Sequence, residues 1–202
     1  MSDAAGLHAA GPHAAGPHAV ELYLDEAADA AVRTLWAALE AVGVPSLATQ
    51  GARHYRPHVS FCVFDGLDRP SVSPEWLAPC LGLELWFGDL SFVLRREPAA
   101  ALAVVPDLAL LDCHRRLSER VGPHVRRHWD DYRPGRFVPR CTLALSVRRP
   151  DLVVATVSAN HSAPLRATVT GAAVVSVADG AEVLAVADLG TGAEEAWARP
   201  VA

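Results

Sequence analysis

Two short stretches decide how this chain is read: Arg56-Pro57-His58-Val59-Ser60-Phe61 and Val138-Pro139-Arg140-Cys141-Thr142-Leu143. Each carries a proline, then a polar residue, an apolar residue, a hydroxyl residue and an apolar residue. Each opens a predicted strand. Side chains alternate across a strand, so His58 and Ser60 share one face, as do Arg140 and Thr142. Val59, Phe61, Cys141 and Leu143 then point into a core. One polar pair on a strand means little. Two related pairs, 82 residues apart in sequence, suggest two equivalent lobes facing one cleft.

Working outward, the run from Val20 to Leu24 alternates as a strand does. From Asp25 to Val42 the apolar residues Ala28, Val32, Leu35, Trp36, Leu39 and Val42 keep helical spacing, and Gly43 and Pro45 end that helix. The second strand covers Pro57 to Phe64. Leu83 to Leu94 reads as two short strands with a turn at Gly88-Asp89, followed by a strand from Ala101 to Val105. Pro106 and Asp107 open a helix that runs to Val121, where Gly122-Pro123 close it. A polar, Arg-rich segment spans His124 to Arg136. A strand from Cys141 to Val147 and a short helix from Asp151 to Ala159 follow. Leu165 to Val177 and Glu182 to Leu189 form a hairpin with its turn near Asp179-Gly180. The fold class is α+β, two-lobed, with mostly antiparallel sheets, helices outside and a central cleft.

The chain has 202 residues, 51% hydrophobic and 20% charged, with a net charge of -5. That is enough for a real core and argues against wholesale disorder. It also argues against a basic nucleic-acid coat. No uncharged apolar run reaches the roughly 18 residues a membrane span needs, and no secretory signal precedes the first strand. All 18 basic residues are Arg, which with the heavy use of Ala, Val and Gly suggests a GC-rich bacterial source. The cysteines Cys62, Cys80, Cys113 and Cys141 form no C-x-x-C pair and sit among apolar residues. They read as reduced cysteines of a cytoplasmic protein, not as a zinc site.

Residues 1–18 are of low complexity, with His-Ala-Ala-Gly-Pro at 8–12 and again at 13–17 followed by His18, and read as a disordered, solvated leader. Its three spaced histidines could hold a metal ion only weakly. Residues 19–190 form the domain and 191–202 a tail. Asp188-Leu189-Gly190-Thr191-Gly192 looks like a nucleotide-binding glycine loop, but too little chain follows to build the βαβ context.

The order of elements, the Arg-Pro-His-Val-Ser motif, the His114-bearing helix, and Tyr132-Arg133-Pro134-Gly135 leading to the second motif resemble the two-histidine phosphoesterase superfamily. That group includes 2'-5' RNA ligases and cyclic nucleotide phosphodiesterases. The resemblance covers residues 19–190. In that family two H-x-[ST] motifs supply one imidazole to take a proton and one to give it, while the hydroxyl residues hold the phosphate. The resemblance implies catalytic roles for His58, Ser60 and Thr142. It implies substrate binding by Arg140, Tyr55, Arg56 and Tyr132, with no metal or other cofactor. Where the family has its second His this chain has Arg140, which keeps its proton and can clamp a phosphate but cannot exchange protons with it.

Two functions therefore stay open. One is an enzyme acting on a 2',3'-cyclic phosphate or 2'-5' phosphodiester of nucleotide or RNA ends. The other is a catalytically silent binder of such ends. Either is expected as a monomer with no obligatory protein partner and no membrane. A protein-interaction role for the Arg-rich face is a third and less supported reading. Between Asp112 and Arg149 ten Arg face four acidic residues, with Trp129, Tyr132 and Phe137 interleaved. This segment reads either as an anion-binding surface or as a solvated face with internal salt bridges.

Among the other histidines, His54 shares the face of His58 only if the strand begins early. His114 reads as a partly buried structural residue. His124 and His128 read as solvated, and His161 as capping a helix end. Cys62 is expected on the face of His58 and Ser60, at the cleft.

Overall fold

The computed structural model describes residues 13–50, 55–68, 73–94, 98–161, 164–178 and 180–187. It contains eight strands, β1 (His13–Leu24), β2 (His58–Asp68), β3 (Glu84–Val93), β4 (Ala99–Val104), β5 (Val125–His128), β6 (Arg140–Ala144), β7 (Leu165–Ser176) and β8 (Glu182–Ala187). Three α-helices accompany them, α1 (Glu26–Ala41), α2 (Leu108–Val121) and α3 (Pro150–Asn160). The α+β class and the antiparallel pairing stand as the sequence implies. No helix among the described residues is long and apolar enough to cross a membrane.

All eight strands join one antiparallel sheet. Pairing runs in a closed circuit, β1–β2–β6–β4–β3–β7 and back to β1. Two strands divide an edge between neighbours. β2 meets β6 at Val59 and β5 from Phe64 to Leu67. β7 meets β3 from Leu165 to Thr168 and β8 from Gly171 to Val175.

One face of the sheet carries Leu22, Val59, Leu85, Leu102, Cys141 and Val169, all at most 3% exposed, and the helices cover it. The amphipathic stripe of α1 supplies Leu35, Trp36 and Leu39, and α2 supplies Leu110, Leu117 and Val121. Asp25 caps α1, with Oδ1 accepting from the Ala28 amide at 3.0 Å and Oδ2 from the Thr168 amide of β7. One carboxylate thereby satisfies a helix end and fixes that helix to the sheet.

Three expectations change. The sequence pattern starts the first strand at Val20, but β1 begins at His13, because the 11 residues of β2 offer a partner ladder that reaches back to it. Gly16, at φ +100°, accommodates the register shift that the Gly-Pro pair imposes. His18 is consequently 1% exposed against Phe64 and not in a solvated leader. The pair Gly88-Asp89 is a bulge within the single strand β3, not a turn between two strands. The polar segment after α2 includes the strand β5, and His128 in it packs on Phe64 with both ring nitrogens buried. Residues 1–12, His54, and the stretch 188–202, including Asp188 to Gly192, lie outside the described residues.

Candidate functional site

The two motifs occupy neighbouring antiparallel strands, with Val59 directly opposite Cys141. The middle residue of one motif thus pairs with the middle residue of the other, as a two-fold relation between them requires. Antiparallel pairing at this register carries His58 toward Thr142 and Ser60 toward Arg140, all on the face opposite the helices. Ser60, Arg140 and Thr142 are half-buried, while His58 is 5% exposed. Among the described residues no carboxylate pairs with Arg140. Its neighbours across the sheet on β4 are small: Ala103 opposite Arg140 and Ala101 opposite Thr142. From the helix side, the Trp36 indole donates to the Thr142 carbonyl at 3.3 Å and anchors β6 beneath the site.

β1 adds a residue that the sequence reading did not single out. Glu21 pairs with Ser60 and Tyr23 with His58 in the β1–β2 ladder. Glu21 is 2% exposed. Its Oε1 lies 3.4 Å from His58 Nε2, and its Oε2 accepts from the Tyr23 hydroxyl at 3.3 Å. His58 Nδ1 donates to the Arg56 carbonyl at 2.7 Å, which assigns the proton on that nitrogen. Nε2 in turn faces the Glu21 carboxylate. Both imidazole nitrogens are engaged within the protein. The available signal was a carboxylate set between apolar residues in a strand paired on both sides, where alternation places Glu21 on the face of Tyr23.

The expected substrate-binding residues Tyr55, Arg56, Tyr132 and Arg140 are all half-buried. Tyr55 stacks on His58 with ring centroids 6.2 Å apart, and the Arg56 guanidinium lies over the Tyr23 ring at 4.2 Å. Tyr132 packs on the same face, against the cluster of Ala19, Tyr23, Val63 and Ala173, while its carbonyl accepts from His114 Nε2 at 3.1 Å. His114 is 1% exposed and stacks on Phe137 at 4.0 Å. Burial lowers its pKa from 6.5 to about 4, so it is a neutral structural residue that ties α2 to the segment leading into Arg140.

Cys62 does not share the face of His58. A bulge between Ser60 and Cys62 leaves Phe61 as the extra residue and reverses the alternation. Cys62 therefore turns to the helix side, 0% exposed, 3.6 Å from the Ser118 hydroxyl. Burial pushes its thiol up to about 12.

The Arg-rich segment is partly paired with carboxylates. Arg115 bonds Asp112 and Glu119, Arg127 bonds Asp65, and Arg133 bonds Asp130. Asp65 also accepts from the Trp129 indole at 3.2 Å. Half of the ten Arg are therefore answered by carboxylates, Arg116 by Asp112 and Arg149 by Asp151 among them.

No family model and no curated protein matches the chain. Among solved structures, a phosphoesterase matches with 16% identity and a TM-score of 0.49, covering 86% of this chain and 98% of its own. Usb1 from Kluyveromyces marxianus matches with 11% identity and a TM-score of 0.45, with the same coverage of each chain.

Proposed function

We propose that this chain binds the phosphate of a nucleotide or RNA end, a 2',3'-cyclic phosphate or a 2'-5' phosphodiester, on the face shared by β2 and β6. Arg140 clamps the phosphate, and Ser60 and Thr142 hydrogen-bond its oxygens. The observation that carries this reading is the Val59–Cys141 register, which brings the two motifs side by side with Arg140 unpaired among the described residues. The reading supported best is binding without turnover. Proton transfer needs an imidazole nitrogen aimed at the ligand. Those of His58 face Arg56 and Glu21, and the motif resemblance aligns Arg140 with the family's second imidazole. The ligand is bound without metal by a monomer in the cytoplasm; the Arg-only basic composition supports a bacterial source.

One observation favours a second reading, a slow single-His phosphodiesterase. The Glu21–His58 separation of 3.4 Å exceeds the roughly 2.8 Å of a tight charge-assisted hydrogen bond, so a small ring rotation releases Nε2.

Calorimetric titration with nucleoside 2',3'-cyclic phosphates and 2'-5' dinucleotides, with product analysis of the same samples, tests both. Binding without products, weakened roughly 10- to 100-fold in Arg140→Ala, is the expected result. Turnover that disappears in His58→Ala would establish the second reading. No binding, or binding indifferent to both Arg140→Ala and Thr142→Ala, would sink the phosphate site.

A further inference from the structure

Away from that face, two of the four cysteines meet. Cys80 ends the short 3-10 turn Ala78–Cys80 ahead of β3, and Cys113 lies on α2. Their sulfurs are 3.5 Å apart. A disulfide needs about 2.05 Å, so the two thiols are already in contact and a modest side-chain rotation separates them from a bond.

The two environments differ. Cys80 is 0% exposed, whereas Cys113 is half-buried. Cys113 lines a cavity of about 310 Å³ with Trp76, Pro79, Leu83, Arg116 and Leu117, large enough to admit a small polar oxidant. Either thiol can donate across the 3.5 Å contact, and Cys113 also reaches the Pro79 carbonyl at 3.7 Å. The contact with Cys80 holds Cys113 below an ordinary thiol, and the Arg116 charge acts in the same direction against burial and Asp112. That same contact, followed by burial, pushes Cys80 up. A sulfur reachable from the cavity thus sits against a protected one.

We propose that Cys113 and Cys80 form a peroxide-reactive thiol pair, with Cys113 the attacking sulfur and Cys80 the resolving one. The Cys113 thiolate attacks one oxygen of hydrogen peroxide. An S–O bond forms, the O–O bond breaks, and the departing hydroxide takes up a proton to leave as water. Cys80, losing its proton, then attacks the sulfenic sulfur of Cys113. The S–S bond forms, the S–O bond breaks, and the second hydroxide leaves as water. Two thiols and one peroxide give one disulfide and two waters, the sulfur pair losing the two electrons that the peroxide gains. The product staples α2 to the chain just ahead of β3.

The experiment treats the full-length protein with hydrogen peroxide, alkylates the remaining thiols and maps the peptides by mass spectrometry. Cys62 and Cys141 serve as references within the same molecule, since both are 0% exposed and pushed by burial to about 12. The expected map links Cys80 to Cys113 while Cys62 and Cys141 remain thiols. Cys80→Ser should accumulate a sulfenic acid on Cys113 that a cyclic 1,3-diketone traps, and Cys113→Ser should leave Cys80 reduced. A wild-type protein in which Cys113 is oxidised but unlinked, or in which all four cysteines react together, overturns the proposal. The wild-type map decides alone if either variant fails to fold.

Discussion

Replacing His114 by Gln isolates the cost of keeping one imidazole neutral in the core. His114 is 1% exposed, and its folded pKa is about 4 against an ordinary 6.5. Between those values the unfolded chain binds a proton that the folded protein refuses. The stability that His114 confers is therefore complete above pH 6.5 and is lost as the pH falls toward 4. A depression of about 2.5 units corresponds to roughly 3 kcal/mol at about 1.36 kcal/mol per unit. In a chain of this size that is a fall in Tm of about 6–12 °C. The glutamine amide of the His114→Gln variant can still donate to the Tyr132 carbonyl but does not titrate. It loses the stacking on Phe137, so the variant should be less stable by about 1 kcal/mol near neutral pH. Guanidinium denaturation from about pH 7.5 to pH 4 measures the difference between the two proteins. Groups that titrate in both cancel, including His128, which burial also holds low. The gap should close and then reverse as the pH falls. A gap that stays constant across the series refutes the reasoning.

Asp25→Ala removes an α1 cap and the bond to the Thr168 amide together, and should cost about 2–4 kcal/mol in a denaturant titration. A loss below about 0.5 kcal/mol would mean that neither contact persists in solution. Gly66→Ala places a Cβ at φ +67°, 2.9 Å from the Arg126 Cβ. The left-handed backbone alone should cost about 1–2 kcal/mol, and an unchanged melting curve would contradict that strain. Glu21→Ala removes the acceptor that the buried His58 Nε2 and the Tyr23 hydroxyl share, and should cost about 1–3 kcal/mol. Wild-type stability in that variant would show that the Glu21–His58 contact is open in solution.

The site was legible in the sequence where strand alternation ran unbroken. His58 with Ser60 and Arg140 with Thr142 each share a face, because two residues of regular strand suffice to say so. Alternation failed one step further on. The bulge at Phe61 turns Cys62 to the other side, and no residue around it marks a bulge as a glycine would. Gly88-Asp89 has turn composition, yet β4 pairs with β3 on both sides of it, at Phe87 and again from Leu90, so the strand bulges and continues. The early start of β1 depends on a partner strand some 50 residues away, which no local window contains. Glu21 escaped notice because a charged residue in a strand reads as solvated until the covering side chains are known. His114 was legible because its neighbours Leu110, Leu117 and Val121 fix the buried stripe of α2.

The closed circuit of strands also sets the order in which the chain can be completed. β1 can pair with β2 once residue 68 has been made, but its other edge waits for β7, whose last residue is Ser176. Until then the first strand synthesised presents an unpaired row of amides and carbonyls from Ala19 to Leu24, flanked by apolar side chains. Closing a loop of about 150 residues is slow relative to local pairing. Until β7 is made the nascent chain is therefore an open sheet with a sticky margin, and the pairing of β7 removes that margin.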